Sequence, residues 1–147
     1  MSTSALHDSA RSYVTGSAEY IDDRPTTTGE VFVDVFYSPV AHGKIKSLDI
    51  SECLKLPYIL GVYTAKNLKH NCWGSIFHDQ VFLADDLVQY VGEPIAIIAS
   101  TKRDMFHHAK SKIKIEIQEL PPTLDLQKAI NDKFFIGPKR TIQRGDV

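Results

Sequence analysis

Between Glu30 and Ser38 the chain reads EVFVDVFYS, a partly alternating run of β-branched and aromatic residues set between Thr26-Thr27-Thr28-Gly29 and Pro39. A run of this kind between turn residues predicts a strand. In Lys44–Ser51, KIKSLDIS, strict alternation fails between Ile45 and Leu48 and resumes at Ile50. This predicts a second strand carrying a bulge or bend, paired with the first. Ser51 is a suitable N-cap and Pro57 a stop, so SECLKL holds a short helix. Tyr58–Thr64, YILGVYT, is a further buried strand.

Periodicity then lapses. Apart from a helical hint at Ala65-Lys66-Asn67-Leu68, the stretch from Ala65 to Asp79 is the longest irregular part of the chain, and such loops carry function. Short strands are expected around Gln80–Ala84 and Asp86–Val91, with Asp85-Asp86 in the turn between them. Gly92-Glu93-Pro94 breaks the chain again, and Ile95–Ser100, IAIIAS, has the continuous apolarity of a strand covered on both faces. Thr101 is placed to cap a helix with Met105, Phe106, Ala109 and Ile113 facing inward. The strand Lys114–Leu120 follows, with Ile113, Ile115 and Ile117 on one face. Pro121-Pro122 turns the chain, Thr123 or Asp125 caps a short helix through Ala129-Ile130, and the rest to Val147 is sparse in core residues. The pattern predicts an α+β fold, a mixed β-sheet with a few packing helices. A length of 147 residues with 43% hydrophobic content fits a single domain over 1–147.

Charge narrows the partners. Lys and Arg number 17 against 18 Asp and Glu, a formal net charge of -1, which leaves no general field for nucleic acid or an anionic membrane. The two cysteines, Cys53 and Cys72, form no disulfide framework and no closely spaced redox pair. The first residues lack a basic start followed by an apolar run, and the aliphatic stretch Ile95–Ala99 is too short to span a bilayer. A cytoplasmic protein without nucleic-acid or membrane partners is expected.

The candidate chemistry is thin. His70, Cys72, His78 and Asp79 offer metal-binding atoms, but their spacing follows no zinc pattern and Trp73, Ile76 and Phe77 interrupt it, so they read as ordinary loop residues. His107 and His108 are neighbours on a helix and point in different directions, one expected exposed and one half-buried. Asp22-Asp23 and Asp85-Asp86 sit among turn signals and read as solvated. Ser38 and His42 lack the strand–turn–helix setting of a nucleophile. The glycines are dispersed, with neither G-x-G-x-x-G nor G-x-x-x-x-G-K-[ST] present. These residues assign no catalytic, cofactor-binding or metal position.

Five segments in order carry a resemblance: Val14–Asp23 (VTGSAEYIDD), Ser38–Ser51 (SPVAHGKIKSLDIS), Leu83–Ser100 (LADDLVQYVGEPIAIIAS), Glu116–Ile130 (EIQELPPTLDLQKAI) and Gly145-Asp146. Together they resemble the N-terminal α/β-hammerhead domain of the molybdenum-binding subunit of xanthine dehydrogenases, shared with aldehyde oxidases. The resemblance implies an enzyme that oxidises purines, other heterocycles or aldehydes with oxygen from water, at molybdenum held by molybdopterin. Iron–sulfur clusters, FAD and usually NAD carry the electrons away in partner domains or subunits. In that family the pterin-holding glycine-rich loops and the glutamate base lie downstream of the hammerhead. The chain is therefore expected to be a non-catalytic fragment, cut at a domain boundary near Gly145-Asp146-Val147. Its expected partners are the downstream molybdopterin-binding domains, an iron–sulfur/FAD subunit and a small heterocyclic substrate. The closeness of Met1 to the first segment suits a separate subunit of bacterial type. The resemblance also implies residue roles. His42 is a structural turn residue with local hydrogen bonds, Gly92 supplies a backbone conformation closed to other residues, and Ile76 and Phe77 face the substrate entrance. The alternative is a stand-alone, non-enzymatic binding module of the same fold.

Overall fold

The computed structural model describes residues 7–137 and 140–146. The chain divides into two compact units, Met1–Val31 and Phe32–Val147. The first holds a six-residue helix, α1 (Ala10–Thr15), ended by Gly16 at φ 71°, a left-handed position suited to glycine. A 3-10 turn over Ile21–Asp23 follows, with the Asp23 carboxylate accepting the Tyr20 N–H at 2.9 Å. Asp22-Asp23 thus lies in a turn. Helix α1 was not expected, because six residues that bury none of their side chains leave no apolar period to read.

The second unit carries β1 (Phe32–Tyr37), β2 (Gly43–Asp49), α2 (Ser51–Leu54), β3 (Ile59–Thr64), β4 (Cys72–Trp73), β5 (Gln80–Val81), β6 (Leu87–Val88), β7 (Pro94–Ser100), α3 (Phe106–Ser111), β8 (Lys114–Glu119) and α4 (Leu126–Asn131). The strands form three small sheets, ordered β1-β7-β3, β6-β2-β8 and β4-β5. Every ladder is antiparallel. The α+β class is as expected, but β2 does not pair with β1. Strand β1 lies on β7, with Val35 opposite Ile97, whereas β2 lies on β8, with Leu48 opposite Ile115. The connection between β1 and β2 explains this. Ser38 is tied by its backbone to Gly92 and Glu93, at 2.9 Å each, and the His42 carbonyl accepts from Leu120 N–H at 2.9 Å. The corner is thereby anchored to two distant segments and passes the chain from one sheet to the other. The expected bulge in β2 is present, as a register shift between Ile45 and Ser47.

Helix starts depart from expectation where side chains compete for the backbone. Ile50 occupies the N-cap of α2, while the Ser51 N–H donates to the Asp49 carboxylate at 2.9 Å. Thr101 caps nothing. A 3-10 turn over Arg103–Met105 leads into α3, and the buried Ser100 hydroxyl accepts from Lys102 N–H at 3.0 Å, setting that turn. Ile113 falls beyond the end of α3 yet remains buried. His107 and His108 are both exposed, not one half-buried. Of the two caps open for α4, Asp125 serves, its carboxylate accepting Lys128 N–H at 2.6 Å. The strands expected over Gln80–Ala84 and Asp86–Val91 shrink to two residues each.

Strand β7 is the centre of the core. Ala96 and Ile98 pack with Cys53, Tyr58, Val62, Phe106, Ala109 and Ile113, and Ile95 packs with Ala84 and Val88. Phe36 and Leu48 touch both clusters and join them. Complete burial of each large aliphatic side chain contributes about 1.5–3 kcal/mol, which is why Ile95 and Ile98, with no exposure, anchor the unit. The opposite face of β7 is covered less fully. Ile97 lies with Val35, Pro94, Leu68, His70, Phe82 and Leu83 around an apolar groove of about 450 Å³.

Candidate functional site

The irregular stretch after β3 is an ordered hairpin. Cys72 pairs with Val81 and Trp73 with Gln80, leaving residues 74–79 as its tip. Asn71 closes the base. Its amide donates to the Leu83 carbonyl at 2.7 Å and accepts the Leu83 N–H at 3.0 Å, and its own carbonyl accepts Phe82 N–H at 3.1 Å. A two-residue ladder has too little length to show a period, so the hairpin is invisible in the pattern of apolar positions.

The tip turns very tightly. A β-carbon on Gly74 would stand 1.6 Å from the Phe77 carbonyl oxygen, so only glycine fits there. Beyond that contact Ile76 and Phe77 project outward, 80% and 50% exposed. The Arg140 guanidinium lies over the Phe77 ring at 5.0 Å from its centroid. Ile76 and Phe77, neighbours in the sequence, thus sit together on the exposed tip, and Arg140, which sequence reading missed, packs on one of them. No local signal marks Arg140, since the contact spans the hairpin and the C-terminal segment.

His42 and Gly92 stand at the corner between β1 and β2. The His42 Nδ1 is 3.1 Å from the Pro121 carbonyl, 79 residues away in sequence, so the bond is long-range and not local as expected. Gly92 adopts φ 87°, with nothing within 4 Å of where a β-carbon would stand. Its requirement is backbone conformation, not space. Two residues of this corner were missed. Glu93 is buried, and its carboxylate accepts Gln89 N–H at 2.5 Å. Ser38 is buried, and its hydroxyl donates to the Val40 carbonyl at 2.9 Å and accepts Val40 N–H at 3.1 Å. A serine before Pro39 and a glutamate before Pro94 were the available signals.

Metal chemistry finds no support in the arrangement. His70 lines the apolar groove, Cys72 is exposed, and among the described residues no group of three or more His, Cys, Asp or Glu converges. Cys53 is buried, and burial pushes its thiol up. The Tyr58 hydroxyl meets His108 Nδ1 at 2.6 Å, and burial, with the nearby Cys53, raises its phenol. The sequence holds no glycine-rich cradle for the pterin's phosphate, so the described residues do not fit a molybdenum–pterin site. No helix among them is long and apolar enough to cross a membrane.

The second unit is thus a corner-linked pair of antiparallel three-stranded sheets with few helices and a short hairpin. Residues 15–121 match the family described as aldehyde oxidase and xanthine dehydrogenase, a/b hammerhead domain, and the chain belongs to that family. It is 34% identical to aldehyde oxidase 1 of Oryctolagus cuniculus, over 97% of this chain and 10% of that protein. It is 33% identical to the xanthine dehydrogenase of Oryza sativa subsp. japonica, with the same 97% and 10% coverage. Among solved structures it is similar to the Cu,Mo-CO dehydrogenase, with a TM-score of 0.75 and 28% identity over 85% of this chain and 16% of that chain. Quinoline 2-oxidoreductase from Pseudomonas putida 86 gives a TM-score of 0.73 and 27% identity, over 87% of this chain and 17% of that chain. The chain thus spans about a tenth of the length of the curated relatives it matches.

Proposed function

We propose that the chain serves as the N-terminal structural and substrate-funnel domain of the molybdenum-binding subunit of a xanthine dehydrogenase-type molybdenum hydroxylase. The observation that carries this reading is the near-complete match of the chain to only a tenth of each relative, which is how one domain of a larger enzyme aligns. The whole enzyme would oxidise purines or other heterocycles with water as oxygen source. Molybdopterin and its molybdenum supply that chemistry when bound in the downstream domains, and iron–sulfur clusters, FAD and NAD in partner domains or subunits accept the electrons. This domain contributes no reacting group. A cytoplasmic setting agrees with two free thiols.

The domain's own contribution is at the hairpin tip. Ile76 and Phe77 present apolar surface where an aromatic substrate passes, and contact with Phe77 strengthens substrate and transition state alike. In the assembled enzyme, Phe77→Ala is expected to raise KM by no more than about tenfold while kcat stays near wild type. An unchanged KM with a sharply lower melting temperature would show that Phe77 only anchors the loop, and the funnel role would fall.

A further inference from the structure

At the hairpin tip Phe77 is half exposed, so packing covers only part of its ring. The residue lying on that ring is Arg140, at 5.0 Å from the centroid. A guanidinium is planar and weakly hydrated, and it stacks over an aromatic face with its charge toward the negative π-cloud. Among the described residues Arg140 takes part in no ion pair with a carboxylate. No ion pair among the described residues accounts for where the arginine sits.

We propose that Arg140 is a positioning residue for Phe77, holding the ring in one orientation so that its other face is presented to an aromatic substrate. The proposal rests on the funnel reading of Phe77. The tight turn at Gly74 sets the backbone of the tip, and Arg140 sets the side chain, so the two devices act on different degrees of freedom. A ring already oriented loses less freedom when a substrate stacks on it, which lowers KM without altering bond-making.

The test is steady-state kinetics of the assembled enzyme carrying Arg140→Gln, Arg140→Lys, Phe77→Ala and the double variant Arg140→Gln/Phe77→Ala. Loss of an exposed cation–π contact is expected to raise KM about two- to fivefold in Arg140→Gln with kcat unchanged, and Arg140→Lys, which keeps the charge but not the planar stack, is expected to fall between Arg140→Gln and wild type. In the Phe77→Ala background, Arg140→Gln is expected to add nothing further. An unchanged KM in Arg140→Gln beside a raised KM in Phe77→Ala would overturn the positioning role and leave the funnel standing. An equal rise in both backgrounds would also overturn it, because the arginine would then act without the ring. If Phe77→Ala itself leaves KM unchanged, the funnel reading fails, and the contact is judged by proton NMR of the present chain. Upfield ring-current shifts of the Arg140 side-chain protons, lost in Phe77→Leu, support the positioning of the ring; their absence overturns it.

Discussion

Gly74 and Gly92 are required for different reasons, and substitution separates them. At Gly74 an added methyl meets backbone, the Phe77 carbonyl at 1.6 Å, so Gly74→Ala must open the hairpin tip. It is expected to lower stability by about 1–3 kcal/mol, read as a drop in melting temperature. At Gly92 there is open space, and only φ 87° excludes other residues. Gly92→Ala is expected to lose about 1–2 kcal/mol, and Gly92→Asn less than that, since asparagine enters the left-handed region more readily. Denaturant titration of the pair checks the order. His42 is of a third kind. Its ring bond to the Pro121 carbonyl stitches the corner to the end of β8, and His42→Asn is expected to lose about 0.5–1.5 kcal/mol, with kcat of the assembled enzyme near wild type. A fall in kcat of a hundredfold or more would give His42 an acid–base role instead.

Between elements, the side-chain bond with a pH signature joins β1 to α3. Lys110 Nζ lies 2.7 Å from the Asp34 carboxylate, with the two side chains 30% and 34% exposed. Burial acts to raise the Asp34 carboxyl, but the hydrogen bond from Lys110, the Val35 N–H and the lysine charge together outweigh it and hold the group below its ordinary value. A carboxyl lowered in the folded state binds its proton less tightly there than in the unfolded chain. Its stabilisation is present above the unfolded value and is lost as pH falls through the folded one. Partial exposure limits the contribution to less than about 1 kcal/mol. Lys110→Met is expected to flatten that part of the stability curve on the acid side of the carboxylate range, measured by urea titration across pH. A curve of unchanged shape would show that the pair contributes nothing. The hairpin depends on a different bond set. Asn71→Ala removes both amide bonds to Leu83 and is expected to accelerate exchange of the Leu83 amide hydrogen while the β7 amides stay protected.

For the whole molecule, the lack of a glycine-rich cradle for a pterin phosphate leads to a direct expectation: the purified chain carries no stoichiometric molybdenum by elemental analysis. Its surface leads to another. Phe134, Phe135 and Ile136 stand exposed beside Tyr90, Val91 and Leu124 around a groove of about 550 Å³, and an apolar patch of this kind favours association at high concentration. Light scattering that shows only monomer at millimolar concentration would contradict it. The information legible along the chain is local. The long strands, the bulge in β2 and the helix around Phe106 follow from short-range periodicity, and the order of five segments carried the family because each is contiguous. Even Gly92 was legible, since glycine before Glu93-Pro94 signals an unusual backbone. The pairing of β1 with β7 and of β2 with β8 was settled by packing, because period-2 patterns say which face is buried and not which strand lies alongside. The partners of His42, Asn71, Asp34 and Phe77 were likewise set by chain crossing. The contacts of His42, Asp34 and Phe77 each join residues far apart in sequence, and Asn71 closes its hairpin through a two-residue ladder, so none is written in a local pattern.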